Sequence, residues 1–314
     1  MSPTVSAVEP FAHPALFYRD DAEYLAGTVP FVRDALAANE PVAVAVPGRN
    51  LAMLRSELGS AAGQVRLFDM TEAGRNPGRI IPGVLRAFAD AHPGRPVRII
   101  GEPIWPGRSR LEYPACAQHE ALINMAFAGR AATILCPYDA QRLSADVLAD
   151  AEATHPTIVD GRGRRDSTAF APDRIVHGYN QPLPEPVEHA HALEVTSAGA
   201  ADLGEARRIA RIRAVQAGLS AERAADVALV ITELLTNSLE HGRGSGTMRL
   251  WADHDHLVCE VRDQGALTDP LAGRRPALPG QARGRGLLLV NELADLVRVH
   301  AAADGTAVQA RFWL

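Results

Sequence analysis

Three prolines in five residues, Pro182, Pro184 and Pro186, interrupt the chain within YNQPLPEPVEHAH, where no apolar period survives. Proline fixes φ, offers no N–H to a ladder and favours extended chain, so this run is unsuited to the interior of a packed element. The chain of 314 residues is long enough for two cores, one on either side of this run. The expected organisation is a domain over 10–178, a Pro-rich linker over 179–194 and a second domain over 195–314.

The second domain is built around Asp226 to Gly242, DVALVITELLTNSLEHG. Val227, Val230, Ile231, Leu234, Leu235 and Leu239 repeat at helical spacing, which predicts one buried and one exposed face. Glu233 and Asn237 stand four apart and so share a face one turn from each other. A carboxylate can take a proton from a nucleophile, and an amide oxygen is a hard ligand suited to Mg2+. His241 followed by Gly242 has a simpler account, a cation and a stop at the negative helix end.

Two strand-like runs follow, Thr247 to Ala252 and His256 to Arg262, and then Asp263-Gln264-Gly265. An aspartate at a strand end accepts from the exocyclic amine of adenine but not from guanine, and Gly265 lets backbone approach a base. Gly284-Arg285-Gly286-Leu287 is a flexible turn opening an apolar helix, whose unpaired N–H groups favour phosphate.

In this order around one strand-helix core, the three segments resemble the nucleotide-binding boxes of the GHKL ATPases. That superfamily includes histidine kinases, a heat-shock chaperone, the ATPase component of gyrase and the anti-sigma serine kinases. The resemblance implies a Bergerat-type α/β sandwich that binds ATP and Mg2+. Glu233 matches the general base, Asn237 the magnesium ligand, Asp263 the adenine-reading aspartate and Gly265 the glycine beneath the base. Gly284, Gly286 and Leu287 match the lid, and Arg285 is placed to steady the γ-phosphate. Thr306, in Asp304-Gly305-Thr306, falls where family members put a threonine near adenine, although a D-G-T hairpin also explains itself. The small domain, with nothing expected after Leu314, points to the anti-sigma type. Such a protein phosphorylates a Ser/Thr on a STAS-fold antagonist, sequesters a sigma factor and often dimerises. A non-catalytic module in which ATP only sets the conformation is the alternative.

Before residue 180, apolar strands such as PVAVAVPG, Val65 to Met70, PVRIIGEPIW and AATILCPYD alternate with helical stretches, among them Ile80 to Ala91 and His119 to Ala128. This predicts a mostly parallel sheet covered on both faces. GEPIWPGRS, HEALIN, CPYDA and THP, with His13 and Tyr18 upstream, resemble the MEDS sensory domain, which implies a RecA-like core and an unidentified ligand. No Walker-type loop accompanies it. Ligands in such sheets lie beyond the strand carboxyl ends, so Glu102, Trp105 and Tyr138 join His13 and Tyr18 as sensory-pocket candidates. His119-Glu120 lacks the helical hairpin of a phosphoacceptor box. Cys116, His119, Cys136 and His155 match no standard zinc module, and buried cysteine is more often a small hydrophobe.

A net charge of −5 is unfavourable for a nucleic-acid partner. The absence of a long apolar run or a leader at the N-terminus predicts a cytoplasmic protein without membrane contact. Three cysteines outside C-x-x-C spacing predict no disulfide framework.

Overall fold

Every residue of Val42–Val46 is buried, and a strand buried on both faces needs cover on both. The computed structural model describes residues 11–186, 192–197, 199–253, 255–277, 280 and 284–314. They divide into two units, Met1–Arg75 with Ile80–Tyr179, and Asn76–Arg79 with Asn180–Leu314. The first unit runs β1 (Pro14–Tyr18), α1 (Asp21–Ala37), β2 (Val42–Val46), α2 (Gly48–Leu58), β3 (Arg66–Asp69), α3 (Met70–Ala73), α4 (Ala87–Asp90), β4 (Val97–Gly101), α5 (Tyr113–Ala126), β5 (Ala132–Asp139), α6 (Ala145–Thr154), β6 (Thr157–Asp160), β7 (Gly163–Asp166) and α7 (Pro172–Gly178). Its sheet has the order β3-β2-β4-β5-β1-β6-β7. All pairs are parallel except β6 with β7, the mostly parallel arrangement expected from the apolar strands.

Two local differences have clear causes. The helix expected over Ile80 to Ala91 is a π-helical stretch, Ile80–Arg86, that runs into α4. Pro82 sits inside it without an N–H, and regular i to i+4 bonding cannot pass through such a residue. The helix expected from His119 begins earlier, at Tyr113, with proline in its first turn where a missing N–H costs nothing.

The second unit comprises β8 (Leu193–Ser197), α8 (Ala200–Gln216), α9 (Ala221–His241), β9 (Gly246–Asp253), β10 (His256–Asp263), α10 (Gly286–Leu293), β11 (Leu296–Ala302) and β12 (Gly305–Trp313). The sheet is antiparallel throughout, in the order β11-β12-β10-β9-β8. Ser220 caps α9 by accepting from the Arg223 N–H. The helix then buries Val227, Val230, Ile231, Leu234 and Leu235 in one core with Leu257, Cys259 and Val261 of β10 and Val308, Ala310 and Phe312 of β12. Among the described residues no helix is long and apolar enough to cross a membrane.

The segment expected as a Pro-rich linker makes hydrogen bonds over its described part. The Asn180 amide exchanges hydrogen bonds with the backbone of Ala301, and the Pro184 carbonyl accepts from Gln309 Nε2. Proline suits this role because an extended chain crossing a sheet face needs no ladder N–H.

The contact between α8 and α9 depends on small side chains. Ala206, Ala210 and Ala214 recur every four residues and are fully buried in the shared core, so they form one stripe along which two helices can approach closely. Ala210→Leu is expected to destabilise the second unit by about 1–3 kcal/mol through overpacking. Urea titration followed by far-ultraviolet circular dichroism checks this, and a midpoint equal to that of the unmodified chain would refute the tight packing.

Candidate functional site

Period-two alternation places Leu257, Cys259, Val261 and then Asp263 on the helix-covered face of β10. The apolar stripe therefore ends in a carboxylate beneath α9. Asp263 Oδ2 accepts from the Ser238 hydroxyl at 2.6 Å, and Oδ1 accepts from the Gly265 N–H at 2.7 Å. Ser238 is buried on α9 one residue after Asn237. Its position continues the apolar face, and a hydroxyl interrupting that face was a signal that sequence reasoning missed.

Glycine is required where these segments meet. A β-carbon on Gly242 would stand 2.5 Å from Asp263 Cγ, and one on Gly265 would stand 2.3 Å from the His241 carbonyl oxygen. His241 itself is exposed, with Glu240 as its nearest carboxylate, and takes no part. Thr306 does take part. It lies opposite Asp263 in the β10–β12 register, donates from Oγ1 to the Gly265 carbonyl at 2.7 Å and accepts from the Leu267 N–H at 3.2 Å. It therefore fixes the loop after Asp263, a role beyond its place in a hairpin turn.

On the next turn of α9, Glu233 and Asn237 converge on the start of α10. A β-carbon on Gly286 would lie 2.9 Å from Glu233 Oε2 and 3.2 Å from Asn237 Nδ2. Only a residue without a side chain lets the helix N-terminus come this close to both groups. Gly284, with φ at +78°, turns the chain into α10 in a conformation that other residues adopt at a cost. Arg285 is exposed at the cap position of α10. Leu287 differs from the rest of the set: it packs on the core and against Gly273, so only its backbone faces toward a ligand site of this kind. The Asn291 amide joins α10 to the preceding loop through the Gly273 carbonyl at 3.0 Å. In that loop Pro279 and Arg283 lie outside the described residues.

Amide oxygen, carboxylate and helix N-terminus are the donor set that a metal–nucleotide pair uses, and a β-carbon on Gly286 would crowd the first two of them. The second unit thus brings Glu233 and Asn237 to Gly286, two residues after Gly284, and Asp263 and Thr306 to Gly265.

The sensory candidates of the first unit separate into three places. Tyr18 and Glu102 meet at the carboxyl ends of β1 and β4. The Glu102 carboxylate, 1% exposed, accepts from Asn50 Nδ2 at 2.8 and 3.0 Å, from the Tyr18 hydroxyl at 3.3 Å and from the Tyr24 hydroxyl at 3.4 Å. Burial pushes its pKa up to about 8 despite those donors. Trp105 does not join them: the Arg108 guanidinium lies 4.0 Å over its ring and bonds the carbonyls of Pro103 and Gly74, so the tryptophan braces a loop. His13 and Tyr138 belong to a third group with Glu120, Cys136 and His155. Burial acts to raise the Glu120 carboxyl, but the His13 and His155 rings beside it hold it well below the usual carboxylate range. Burial and the neighbouring His155 push His13 down to about 4.

Glu102 carries a pH prediction. Its folded pKa is raised from 4.5 to about 8, so the stability it contributes is present at acid pH and is lost as pH rises through that window, with a slope of at most about 1.4 kcal/mol per pH unit. Urea midpoints of the full chain measured from pH 5 to pH 8 should fall less steeply in Glu102→Gln than in the unmodified protein. Parallel pH profiles would show that the carboxyl is already ionised across this range.

Comparisons with known proteins find separate matches in the two halves of the chain. Residues 12–156 match the MEDS family, the methanogen/methylotroph DcmR sensory domain, and residues 196–312 match the histidine kinase-like ATPase domain. No curated protein matches the chain. The crystal structure of the RsbU and RsbW domains of Rv1364c from Mycobacterium tuberculosis is similar at 20% identity and a TM-score of 0.29, over 41% of this chain and 32% of that one. The chain therefore spans about a third of that relative's length. The SiaB–SiaC complex from Pseudomonas aeruginosa is similar at 15% identity and a TM-score of 0.32, over 40% of this chain and 90% of that one. The chain thus carries an N-terminal MEDS sensory domain and a C-terminal histidine kinase-like ATPase domain.

Proposed function

We propose that the C-terminal domain is an anti-sigma-type protein kinase. It binds ATP with Mg2+, phosphorylates a serine or threonine on a STAS-fold antagonist and sequesters a sigma factor, while the N-terminal domain senses a ligand or partner. The convergence of Glu233 and Asn237 on the bare backbone of Gly286 carries the reading. It puts a proton acceptor, a hard oxygen ligand and the N-terminus of α10 around one space.

Each residue has a role in that space. Glu233 Oε2 takes the proton of the incoming hydroxyl, Asn237 Oδ1 ligates the metal, and the N–H groups that open α10 receive phosphate oxygens. Magnesium held there supplies charge neutralisation for the transferring group. Arg285, at the cap of α10, adds positive charge to the same end. Asp263 reads the base: a carboxylate has about four acceptor sites, and Ser238 and Gly265 use only one on each oxygen.

Two experiments test the reading. By calorimetry the full chain should bind ATP·Mg more tightly than GTP·Mg, and Asp263→Asn should narrow the difference, because an amide donates as well as accepts. Equal affinities in the unmodified chain would remove the adenine assignment. In the second, the chain is incubated with radiolabelled ATP and purified STAS proteins encoded by the same genome. Glu233→Gln should retain nucleotide binding and lose phosphate transfer by roughly 10²- to 10⁴-fold. Nucleotide binding without transfer by the unmodified protein would favour the conformational-module reading instead.

A further inference from the structure

Four side chains from four separate elements converge inside the first unit: His13 before β1, Glu120 on α5, Cys136 in β5 and His155 after α6. All are buried, and their ligand atoms lie within 4.8 Å of one another. Among the described residues no other group of histidine, cysteine and carboxylate atoms converges in this way. Their positions in sequence, 13, 120, 136 and 155, follow no local motif. The convergence is created by the sheet, in which β1 lies between β5 and β6.

Hydrogen bonds fix which ring nitrogen faces inward. His155 Nδ1 lies 2.8 Å from the Ala151 carbonyl, which only accepts, so that nitrogen carries the proton. His13 Nδ1 lies 3.2 Å from Asn124 Oδ1. The Asn124 amide cannot be turned over, because its Nδ2 donates to the Thr154 carbonyl at 2.8 Å. Both Nε2 atoms therefore face the centre. There they meet Glu120 Oε2, 3.4 Å from His13 and 3.1 Å from His155. Neither Glu120 oxygen is aligned with a hydrogen-bond partner. Cys136 Sγ closes the group, 3.4 Å from His13 Nε2. Two ring nitrogens, a carboxylate and a thiol gathered this closely in a buried site are a donor set suited to a cation.

We propose that His13, Glu120, Cys136 and His155 form a binding site for one divalent transition-metal ion, with Zn2+ the best match to two imidazoles, a carboxylate and a thiolate. Ligand arms of about 2.0–2.3 Å define a tetrahedron with edges of roughly 3.3–3.8 Å, which is the scale of the separations present. Glu120 and the Cys136 thiolate together balance a 2+ ion, so the buried site becomes neutral when loaded, and loading releases the thiol proton to solvent. Asn124 and the Ala151 carbonyl are the orienting partners that metal-bound histidines commonly have. Four protein donors complete the shell, which makes the site structural for the sensory domain.

The test uses the full chain and Co2+ as a probe. Purified protein is stripped with chelator and titrated with Co2+, followed by metal analysis after gel filtration. One equivalent should be retained, with tetrahedral d–d bands and a near-ultraviolet thiolate-to-cobalt charge-transfer band. Cys136→Ser should remove the charge-transfer band, whereas Cys116→Ser, which changes a buried thiol outside the group, should keep it. Asn124→Ala, acting through His13, should weaken affinity about 10- to 100-fold without changing the spectrum. Because the unmodified chain reports by itself, misfolding of a variant does not protect the proposal. Failure of the unmodified chain to retain cobalt or zinc, or a charge-transfer band that survives in Cys136→Ser, would overturn it.

Discussion

The 2.6 Å hydrogen bond from Ser238 to Asp263 joins the last turns of α9 to the end of β10, and the geometry of the second unit follows from it. Asp263 is held at the depth where the apolar stripe of β10 runs out. Because Ser238 is the neighbour of Asn237, the same bond sets the helix phase that turns Asn237 and Glu233 toward α10. The close approach is possible only because Gly242, Gly265 and Gly286 have no β-carbon. A site of this type is thus a packing arrangement first: the core under α9 fixes the helix, and the polar groups are carried to their places by it.

The opposite face of the same sheet is polar. Glu260, fully buried, lies 3.0 Å from Arg249 and 2.6 Å from Arg262 and accepts from Gln309 at 3.0 Å. A buried carboxylate with one guanidinium would be precarious, but two cations and an amide satisfy its oxygens together. Glu185 reaches the same two arginines from the proline-rich segment. That segment is thereby part of the second unit's electrostatics, although its composition is that of a spacer.

In the first unit two fully buried glutamates are driven in opposite directions. Glu102, among neutral donors, is raised, while Glu120, beside two histidines, is lowered. Burial acts in the same direction on both, so the neighbours decide the sign. The contrast divides the polar interior of the sensory domain into a centre that disfavours negative charge and one that demands positive charge nearby.

The sequence alone determined what repeats locally. Apolar runs of five residues fixed the parallel strands, 3.6-residue periodicity fixed α9, and the ordered boxes around Glu233, Asn237, Asp263 and Gly286 gave the ATPase domain, because each signal lies within a turn or a strand. Tertiary structure decided what depends on residues far apart. No spacing could join His13 to Glu120, Cys136 and His155, or separate Trp105 from Glu102, since strand order in a sheet is not written in local periodicity. Thr306 acquired its role in the same way: its sequence neighbours describe a hairpin turn, and only the pairing of β12 with β10 sets its hydroxyl against the loop that follows Asp263.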